Sequence, residues 1–266
     1  MLKQFRILPH LVGMHIRTHL QYRGALIIGW VAQAIGYAGI YASIALIITR
    51  FENLGGWSWP EMALLLAFHL LAYALGAALT FVQLRDMEEK VRLGTFDAIL
   101  VKPIGAWTYL VFSGLNIEYG GHIALALGLM AWAMANLSIA WSVPTALYLF
   151  AALVSAAMLT GALMTMIGAT ALIWVRSRHL FSIYFGFWEL ARYPLNIFPL
   201  PLQIMMVTIA PLGFLAFIPA AVILGKPVPI LGDWAGPASL VIGPLFVLLA
   251  ALYWRHCLRN YQGAGS

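Results

Sequence analysis

The sequence is short of charge. Only 9% of its residues are Asp, Glu, Lys or Arg, whereas soluble domains average about 25%. Residues 119–175 contain none of the four, and further apolar runs cover Gly24–Ile48, Met62–Leu84, Tyr193–Gly225 and Trp234–Trp254. About 20 apolar residues cross the hydrocarbon core of a bilayer as a helix, and each run is long enough to do so. The scarcity of charge therefore excludes one large soluble domain and indicates an all-α, polytopic membrane protein.

Cysteine and long polar stretches are scarce too. Cys257 is the single cysteine, which excludes an intramolecular disulfide and a cysteine-based metal site. The longest polar stretch, 85–103, has room for a helix or two but not for a catalytic domain. A phosphate loop requires G-x-x-x-x-G-K-[ST], yet the one lysine that follows a glycine, Lys226, precedes Pro227. We expect no enzymatic activity, no cofactor and no metal ion in this chain itself.

Six membrane-spanning helices in one domain, 1–266, fit the apolar runs best. We place the spans at about 24–48, 62–84, 107–135, 144–175, within 182–225, and 236–254. The break inside the long charge-free run falls at Asn136–Pro144, where turn-forming and helix-starting residues cluster. Apolar residues in Leu2–Leu20 recur three or four apart. This spacing predicts an interfacial helix within residues 1–23, and a frayed polar tail is the alternative.

Basic residues indicate the orientation of these spans. Twelve Lys and Arg residues lie at the N-terminus, after spans two and four, and at the C-terminus, whereas the other side holds only Arg50 and Lys226. Because cytoplasmic loops carry the excess of Lys and Arg, we expect both termini in the cytoplasm. The same rule explains the net charge of +6 without nucleic acid as a partner.

The region 182–225 is too long for one span, yet an even number of passages allows only one net passage here. It contains five prolines, which are Pro194, Pro199, Pro201, Pro211 and Pro219. Proline interrupts helical hydrogen bonding, and such breaks are tolerated at membrane depth only against protein or a cavity. We expect a broken fifth span followed by a re-entrant element. Two full spans are the alternative, which moves Arg255 and Arg259 outside, against the charge rule.

The polar stretch 85–103 predicts two short helices. In the first, three acidic residues precede two basic ones and Gly94 follows, an order that complements the helix dipole and ends the helix. The second can begin with Thr95 as its N-cap and end before Pro103. The first helix is therefore expected to extend span two into the cytoplasm.

The second helix is predicted to present a small apolar surface. Phe96, Ile99 and Leu100 share one face, and Asp97 and Lys102 lie elsewhere. A short amphipathic helix on a cytoplasmic loop suits a hydrophobic groove on another protein. The alternative is a solvated helix on the membrane surface.

The string GTFDAILVKP at Gly94–Pro103 resembles the G-x-[LF]-D-x-L-L-x-[KR]-P element of type-2 ABC exporter permeases. It is nearest to the bacterial ABC transporter permease subfamily of roughly this length that pairs with a natrium- or drug-export-type ATPase. Ile99 stands where Leu is more usual in that element. The phrase RYPLNIFP at Arg192–Pro199 also resembles the fifth-span region of that subfamily. The resemblance extends over essentially the whole chain.

The resemblance implies a permease subunit of an ATP-binding cassette transporter in the bacterial inner membrane. It implies export of amphipathic, drug-like or lipid-like molecules, as in multidrug efflux. ATP and Mg²⁺ belong to a partner P-loop ATPase, in two copies, and a second permease, identical or homologous, completes a dimer. The coupling helix that docks on the ATPase comprises Gly94, Thr95, Phe96, Asp97, Ile99, Leu100, Lys102 and Pro103. Phe96, Ile99 and Leu100 form its inserted face.

Four polar side chains inside the predicted spans are further candidates. Charge at mid-helix costs about 2.5–3.5 kcal/mol, so such residues face a cavity or a partner. Glu189 and Arg192 either form a structural ion pair or line the substrate path or gate. Glu118 and His122 either line the substrate path or gate or make a polar contact between spans or with a second permease, since a metal site requires more ligands. An ion-coupled secondary transporter using Glu118 and Glu189 is the alternative function.

Overall fold

The structure, a computed structural model, describes residues 8–174 and 176–263. Those residues are helical almost throughout and include no β-strand beyond an isolated bridge between Leu54 and Trp57. Twelve α-helices form within them. In chain order they are α1 (Leu8–Gln21), α2 (Arg23–Phe51), α3 (Trp59–Arg85), α4 (Met87–Arg92), α5 (Asp97–Leu100), α6 (Ala106–Ser113), α7 (Gly120–Asn136), α8 (Val143–Trp174), α9 (Arg178–Leu190), α10 (Leu200–Thr208), α11 (Phe217–Ile223) and α12 (Ala235–Arg259).

Four helical stretches are long and apolar enough to cross a membrane. They are Arg23–Phe51, Trp59–Arg92, Val143–Trp174 and Gly232–Arg259. These stretches correspond to the first, second, fourth and sixth predicted spans. The prediction of an all-α, polytopic membrane protein is therefore confirmed. The third and fifth predicted spans consist of shorter pieces.

Helix α3 lies at the centre of the bundle. Its N-terminus is held by a capping box, in which the Glu61 carboxylate accepts a 2.8 Å hydrogen bond from the backbone N–H of Ser58. Apolar side chains run all the way round α3, and every residue from Met62 to Ala74 is buried. A helix that is apolar on all sides must be surrounded by other helices. Helices α7 and α8 pack closely along it.

Glycines bring the long helices into close contact. A Cβ atom added at Gly76 of α3 would lie 2.5 Å from the backbone oxygen of Ala157 in α8. Gly243 of α12 packs directly on the backbone of Ser155, whose hydroxyl accepts a 3.0 Å hydrogen bond from the Gly243 N–H. Small residues permit such close approach between membrane helices. The α3–α8–α12 stack is therefore built on backbone contacts.

The sequence predicts one continuous third span over 107–135, and here the structure differs. Helix α6 ends at Ser113, and the chain resumes as a 3₁₀ turn at Ile117–Tyr119 before α7. The Gln83 side chain donates to the Gly114 oxygen, and the backbone N–H of Asn116 donates to Ala78 at 2.7 Å. Backbone groups at the break thus find partners on α3 instead of within one helix.

The region after α8 forms short pieces separated at prolines. Helix α9 is followed by a 3₁₀ turn at Leu195–Ile197, then by α10, a second 3₁₀ turn at Leu212–Leu215, and α11. Pro194, Pro199 and Pro211 each lie at the start of one of these pieces. Proline fits the first turn of a helix, where its missing N–H costs nothing, and it prevents one continuous helix.

The ends of this region locate its path. Arg178, at the start of α9, donates its backbone N–H to Glu88 beyond α3. The Asn196 side chain donates to the Gly55 oxygen at 2.7 Å, and Lys226 Nζ donates to the Gly56 oxygen at 2.8 Å. The chain thus runs once along the bundle between 178 and 196. It then leaves the Gly55–Gly56 loop and returns to it.

The segments that carry most basic residues gather at one end of the bundle. Helix α4 meets the start of α9 there, and Tyr261, after α12, bonds to Asp97. Helix α1 packs beside α2 and α6. It lies within residues 1–23, where an interfacial helix is predicted, and residues 1–7 lie outside the described residues.

Candidate functional site

The stretch from α4 to α6 forms a folded protrusion at the basic end of the bundle. Helix α4 continues α3 after a slight interruption at Asp86. Gly94 has φ +69°, a backbone conformation that glycine adopts without strain, and it reverses the chain after α4. The backbone N–H of Phe96 then donates to the Lys90 oxygen at 3.1 Å. The single turn α5 therefore lies folded back against the end of α4.

The apolar side chains of this protrusion divide into two sets, which corrects the predicted shared face. Phe96 is fully buried and packs edge-to-face on Trp254 and Tyr261, and Ile99 is buried too. Leu100 is 40% exposed and Val101 is 84% exposed. Phe96 and Ile99 point inward because the end of α12 offers them an apolar surface. The surface left for another protein is Leu100 and Val101, together with the exposed Leu93.

Thr95 does not cap the second helix as predicted. Helix α5 begins at Asp97, and the Thr95 hydroxyl instead donates to the Lys90 oxygen at 3.3 Å. Asp97 accepts a 2.9 Å hydrogen bond from the Tyr261 hydroxyl. Burial and the neighbouring Asp97 carboxylate raise the pKa of Tyr261 to about 12. Asp97 thus attaches the protrusion to the C-terminal end of α12.

The exit from the protrusion is held by Lys102. Its ammonium lies 4.7 Å from the ring centroid of Tyr109, a cation–π contact with α6. Pro103 follows directly, and α6 begins three residues later at Ala106. The protrusion therefore leads into the third predicted span with little free chain between them.

Glu88 attaches the protrusion to α9. Its carboxylate accepts 2.8 Å hydrogen bonds from the backbone N–H groups of Ser177 and Arg178. These are two of the four N–H groups that the first turn of a helix leaves without a partner. The hydrogen bond from Arg178, with that from Ser177, lowers the pKa of the Glu88 carboxyl below its usual range. A negative charge at this position also complements the dipole of α9.

Two adjoining cavities open at the break between α6 and α7. The larger, about 410 Å³, lies between the end of α1, the first turns of α2 and Glu118. The smaller, about 250 Å³, lies between α3 and the break and includes His122. Gln33 and Glu118 line both cavities. Since Arg85 also lines the smaller one, both lie toward the end of α3 that carries the protrusion.

Glu118 and His122 share the smaller cavity but have different surroundings. Glu118 is exposed to the cavities, and its backbone N–H donates to the Asn116 side chain at 2.8 Å. His122 is buried among aromatic rings, with centroids 4.8 Å from Tyr37 and 5.1 Å from Tyr119. No group of three or more possible metal ligands occurs among the described residues.

Glu189 and Arg192 form an ion pair, as their spacing predicts. Arg192 is buried, whereas the Glu189 side chain is 55% exposed. The guanidinium lies 5.6 Å from the ring of Trp188, which stacks on His69 at 4.3 Å. The pair lines neither cavity. The ring of Tyr73 links the two regions, 4.7 Å from Trp188 and 6.1 Å from His122.

The family model described as ABC-2 family transporter protein matches residues 34–265, most of the chain. The chain belongs to the ABC-2 transporter family. The family expected from the Gly94–Pro103 string is thereby confirmed. No curated protein and no solved structure matches the sequence.

As a member of the ABC-2 family, the chain is a multi-pass membrane protein and the permease component of an ABC transporter. The family implies partnership with an ATP-binding subunit. Two regions of the described structure carry the candidate functional residues. One is the protrusion at Gly94–Pro103, and the other is the cavity pair at Glu118 and His122.

Sequence reasoning missed two residues that the ABC-2 fold brings into these regions. The sequence predicts Glu88 only as part of a dipole-complementing helix. Its hydrogen-bond partners, Ser177 and Arg178, lie 89 and 90 positions further along the chain. Gln33, inside the first span, lines both cavities. An amide in an apolar run is a visible signal, because burying it without a partner is costly.

Proposed function

We propose that this chain is the transmembrane subunit of an ATP-driven exporter of amphipathic, drug-like or lipid-like molecules. ATP and Mg²⁺ are bound and ATP is hydrolysed by a separate P-loop ATPase, two copies of which serve the complex. Membership in the ABC-2 family is the observation that carries this proposal. The charge-poor bundle and the two cavities at its basic end are compatible with a role in moving a small molecule.

The protrusion is the proposed docking site for the ATPase. Leu93, Leu100 and Val101 expose apolar surface at the basic end of the bundle, outside the apolar helices. Exposed apolar side chains on such a protrusion suit a hydrophobic groove. Gly94 and Pro103 shape the chain on either side of it.

Movement of the docked ATPase has two routes into the bundle. The Glu88 hydrogen bonds join α4 to α9, and the Tyr261 hydroxyl joins Asp97 to the end of α12. Phe96 packs on Trp254 along the second route. Thr95, Asp97, Ile99 and Lys102 therefore act by holding the protrusion rigid, and Leu100 acts by direct contact.

The proposed topology has six passages with both termini in the cytoplasm of a bacterial cell, in the inner membrane. Segments predicted as cytoplasmic lie at one end, which supports a common side for them. Residues 182–225 complete a broken fifth passage and then dip back from the outer side. The bonds of Asn196 and Lys226 to one loop support that path.

A second permease, identical or homologous, is proposed to complete the pathway. Only 17% of the apolar window in α2 and 22% of that in α12 is buried within the chain. Outward-facing apolar surface of this extent contacts lipid or another membrane helix. Glu189 and Arg192, near the C-terminal end of α9, are proposed to contribute to the gate of the resulting pathway. Glu118 and His122 are proposed to line the substrate path.

Leu100→Asp tests the docking site. The variant should fold and insert normally, because Leu100 contributes little to the bundle interior, but it should uncouple ATP hydrolysis from transport. Co-purification of the tagged chain from its native membrane, with mass spectrometry, measures ATPase binding, and vesicle transport measures coupling. Val143→Asp is the matched control, since Val143 is 75% exposed at the opposite end of the bundle.

The results separate the possible roles of the protrusion. If Leu100→Asp retains the ATPase and transports normally, the docking site lies elsewhere. If the intact wild-type chain purifies without any P-loop ATPase, the ATP-driven function itself is refuted. A second permease in the purified complex would identify the dimer as heteromeric.

A further inference from the structure

The larger cavity combines one carboxylate with uncharged walls. Its lining residues are Thr18, Tyr22, Ala25, Leu26, Gly29, Gln33 and Glu118. No Lys or Arg side chain is among these described residues, and Glu118 forms no ion pair with the described part of the chain. An unpaired carboxylate gives the cavity it lines a negative electrostatic potential. The cavity is therefore electrostatically matched to a cationic molecule.

Aromatic rings continue this environment into the smaller cavity. Tyr73, Phe81 and Tyr119 line it, and the Tyr73 and Tyr119 hydroxyls lie 3.2 Å apart. Aromatic faces attract organic cations, most strongly where water is excluded. Arg85 also lines this cavity, where its guanidinium pairs with Asp86 at 3.2 Å and lies 5.1 Å from the Phe81 ring centroid. The larger cavity, which Arg85 does not line, has Glu118 as its one charged lining residue within the described part of the chain.

Two buried polar atoms on the lining residues have no partner in the described structure. They are Gln33 Oε1 and His122 Nδ1. Buried polar atoms are normally hydrogen-bonded, so atoms of this kind beside a cavity indicate that a bound molecule or water completes the site. The amide oxygen of Gln33 can accept a hydrogen bond from an N–H group of a ligand. Together with the Glu118 carboxylate, this partially negative oxygen favours a positively charged group in the site.

The turn that presents Glu118 is held in place. The Trp30 indole N–H donates to the Ile117 oxygen at 2.9 Å, which attaches the turn to α2. Asn116 holds the backbone N–H of Glu118 from the other side at 2.8 Å. A carboxylate on a fixed turn loses less freedom when it binds a ligand, which favours affinity.

We propose that these two cavities, here called the Glu118 chamber, bind an organic cation with an apolar body. The ammonium-type charge lies at Glu118 and the apolar body lies against the aromatic side chains. The larger cavity falls within the range of about 300–1,000 Å³ typical of small-molecule sites. The chamber opens toward the end that we assign to the cytoplasm, where an exporter collects its substrate. This inference rests on the proposed function for that directional role, but not for binding itself.

Binding of tetraphenylphosphonium to the full-length chain in lipid nanodiscs tests the proposal. Glu118→Gln keeps the shape of the side chain and removes its charge, so we expect about tenfold weaker binding or more. Glu52→Gln, which neutralises an exposed carboxylate at the opposite end, should bind as the wild type does. Measured against empty nanodiscs of the same lipid, tetraphenylborate, of the same shape and opposite charge, should show weaker saturable binding to the wild type, and Glu118→Gln should narrow that difference.

Several results overturn the proposal. They are equal affinity of wild type and Glu118→Gln for the cation, equal affinity of the wild type for cation and anion, and no saturable binding to the wild type. A change in oligomeric state of Glu118→Gln with unchanged cation binding assigns Glu118 to the contact between permeases instead. Size-exclusion chromatography verifies that each variant is folded, and Glu118→Asp should recover part of the affinity.

The proposed function and the chamber can fail independently. If cation binding depends on Glu118 but the chain recruits no ATPase, ATP-driven transport is refuted and the proposed cation site in the chamber is supported. If the ATPase co-purifies with the chain but Glu118→Gln binds the cation as tightly as the wild type does, the chamber alone is refuted.

Discussion

At the scale of single residues, Glu88 shows how one carboxylate joins distant elements. It lies on α4, beside the predicted docking surface, and satisfies two backbone N–H groups at the start of α9. Its neighbour Glu89 is exposed and makes no ion pair among the described residues. Both residues look alike in the sequence, and only the position of α9 distinguishes them. No local pattern could therefore have identified Glu88.

Glu88→Ala should destabilise the chain because it leaves the N-terminus of α9 without its cap. Loss of a helix cap typically costs about 1 kcal/mol. Thermal unfolding of the purified protein in mild detergent measures the effect, and Glu89→Ala is the matched control, with no expected change. Equal melting temperatures for wild type and Glu88→Ala would contradict the assigned cap.

The contribution of Glu88 should also depend on pH. Its folded-state pKa is lowered from the ordinary value of 4.5, so the ionised form stabilises the folded state. That stabilisation is complete above the ordinary pKa and is lost as the pH falls through the lowered value. The difference in melting temperature between wild type and Glu88→Ala should be full at pH 7 and should shrink below about pH 4.5. A difference that grows on acidification would contradict this assignment.

At the scale of elements, long apolar runs are predictable because each helix must satisfy its own backbone in the membrane. Predicted spans one, two, four and six each have a matching long helix. The break between α6 and α7 was not predicted, because its backbone groups bond to α3 and such distant partners leave no periodic signal. Phe96 was misplaced for the same reason, since Trp254 and Tyr261 cover it from the far end of the chain.

The contact between α8 and α12 can be tested at two glycines of one helix. Gly243→Ala should destabilise the protein, because the new Cβ would meet the backbone of Ser155. Overpacking of this kind costs about 1–3 kcal/mol. Gly236→Ala is the control, since its Cβ would lie 3.8 Å from the nearest atom, in Val222. Thermal unfolding and size-exclusion profiles compare the two, and equal behaviour would contradict the close α8–α12 contact.

At the scale of the whole molecule, orientation depends on whether 182–225 crosses once or twice. The charge pattern and the path from Arg178 to Lys226 both favour one net passage. This path assigns Asp233 and Gln262 to opposite sides of the membrane, at the two ends of α12. The direction of α12 therefore distinguishes the two topologies.

Labelling of introduced cysteines tests this topology. A membrane-impermeant maleimide should label Asp233→Cys in right-side-out vesicles and should label Gln262→Cys only after permeabilisation. Both parent side chains are exposed, and the native Cys257 is fully buried, so the unmodified chain is a suitable unlabelled control. With the protrusion at 94–103 on the cytoplasmic side, the reverse labelling pattern would indicate two passages within 182–225.

The near-continuous helix Trp59–Arg92 has a mechanical consequence. Its 34 residues make a rod of about 50 Å, and Gly76 lies near its middle, wedged against α8. One end carries the protrusion, and the other carries Glu61, which pairs with Lys226 at 3.0 Å. If Gly76 serves as the fulcrum, a tilt of only 5°, roughly, swings each tip by about 2 Å in opposite directions. Such a tilt would change the Glu61–Lys226 distance at the far end of the helix. Rigid-body movement of the helix would be enough, with no rearrangement of side chains between the two ends.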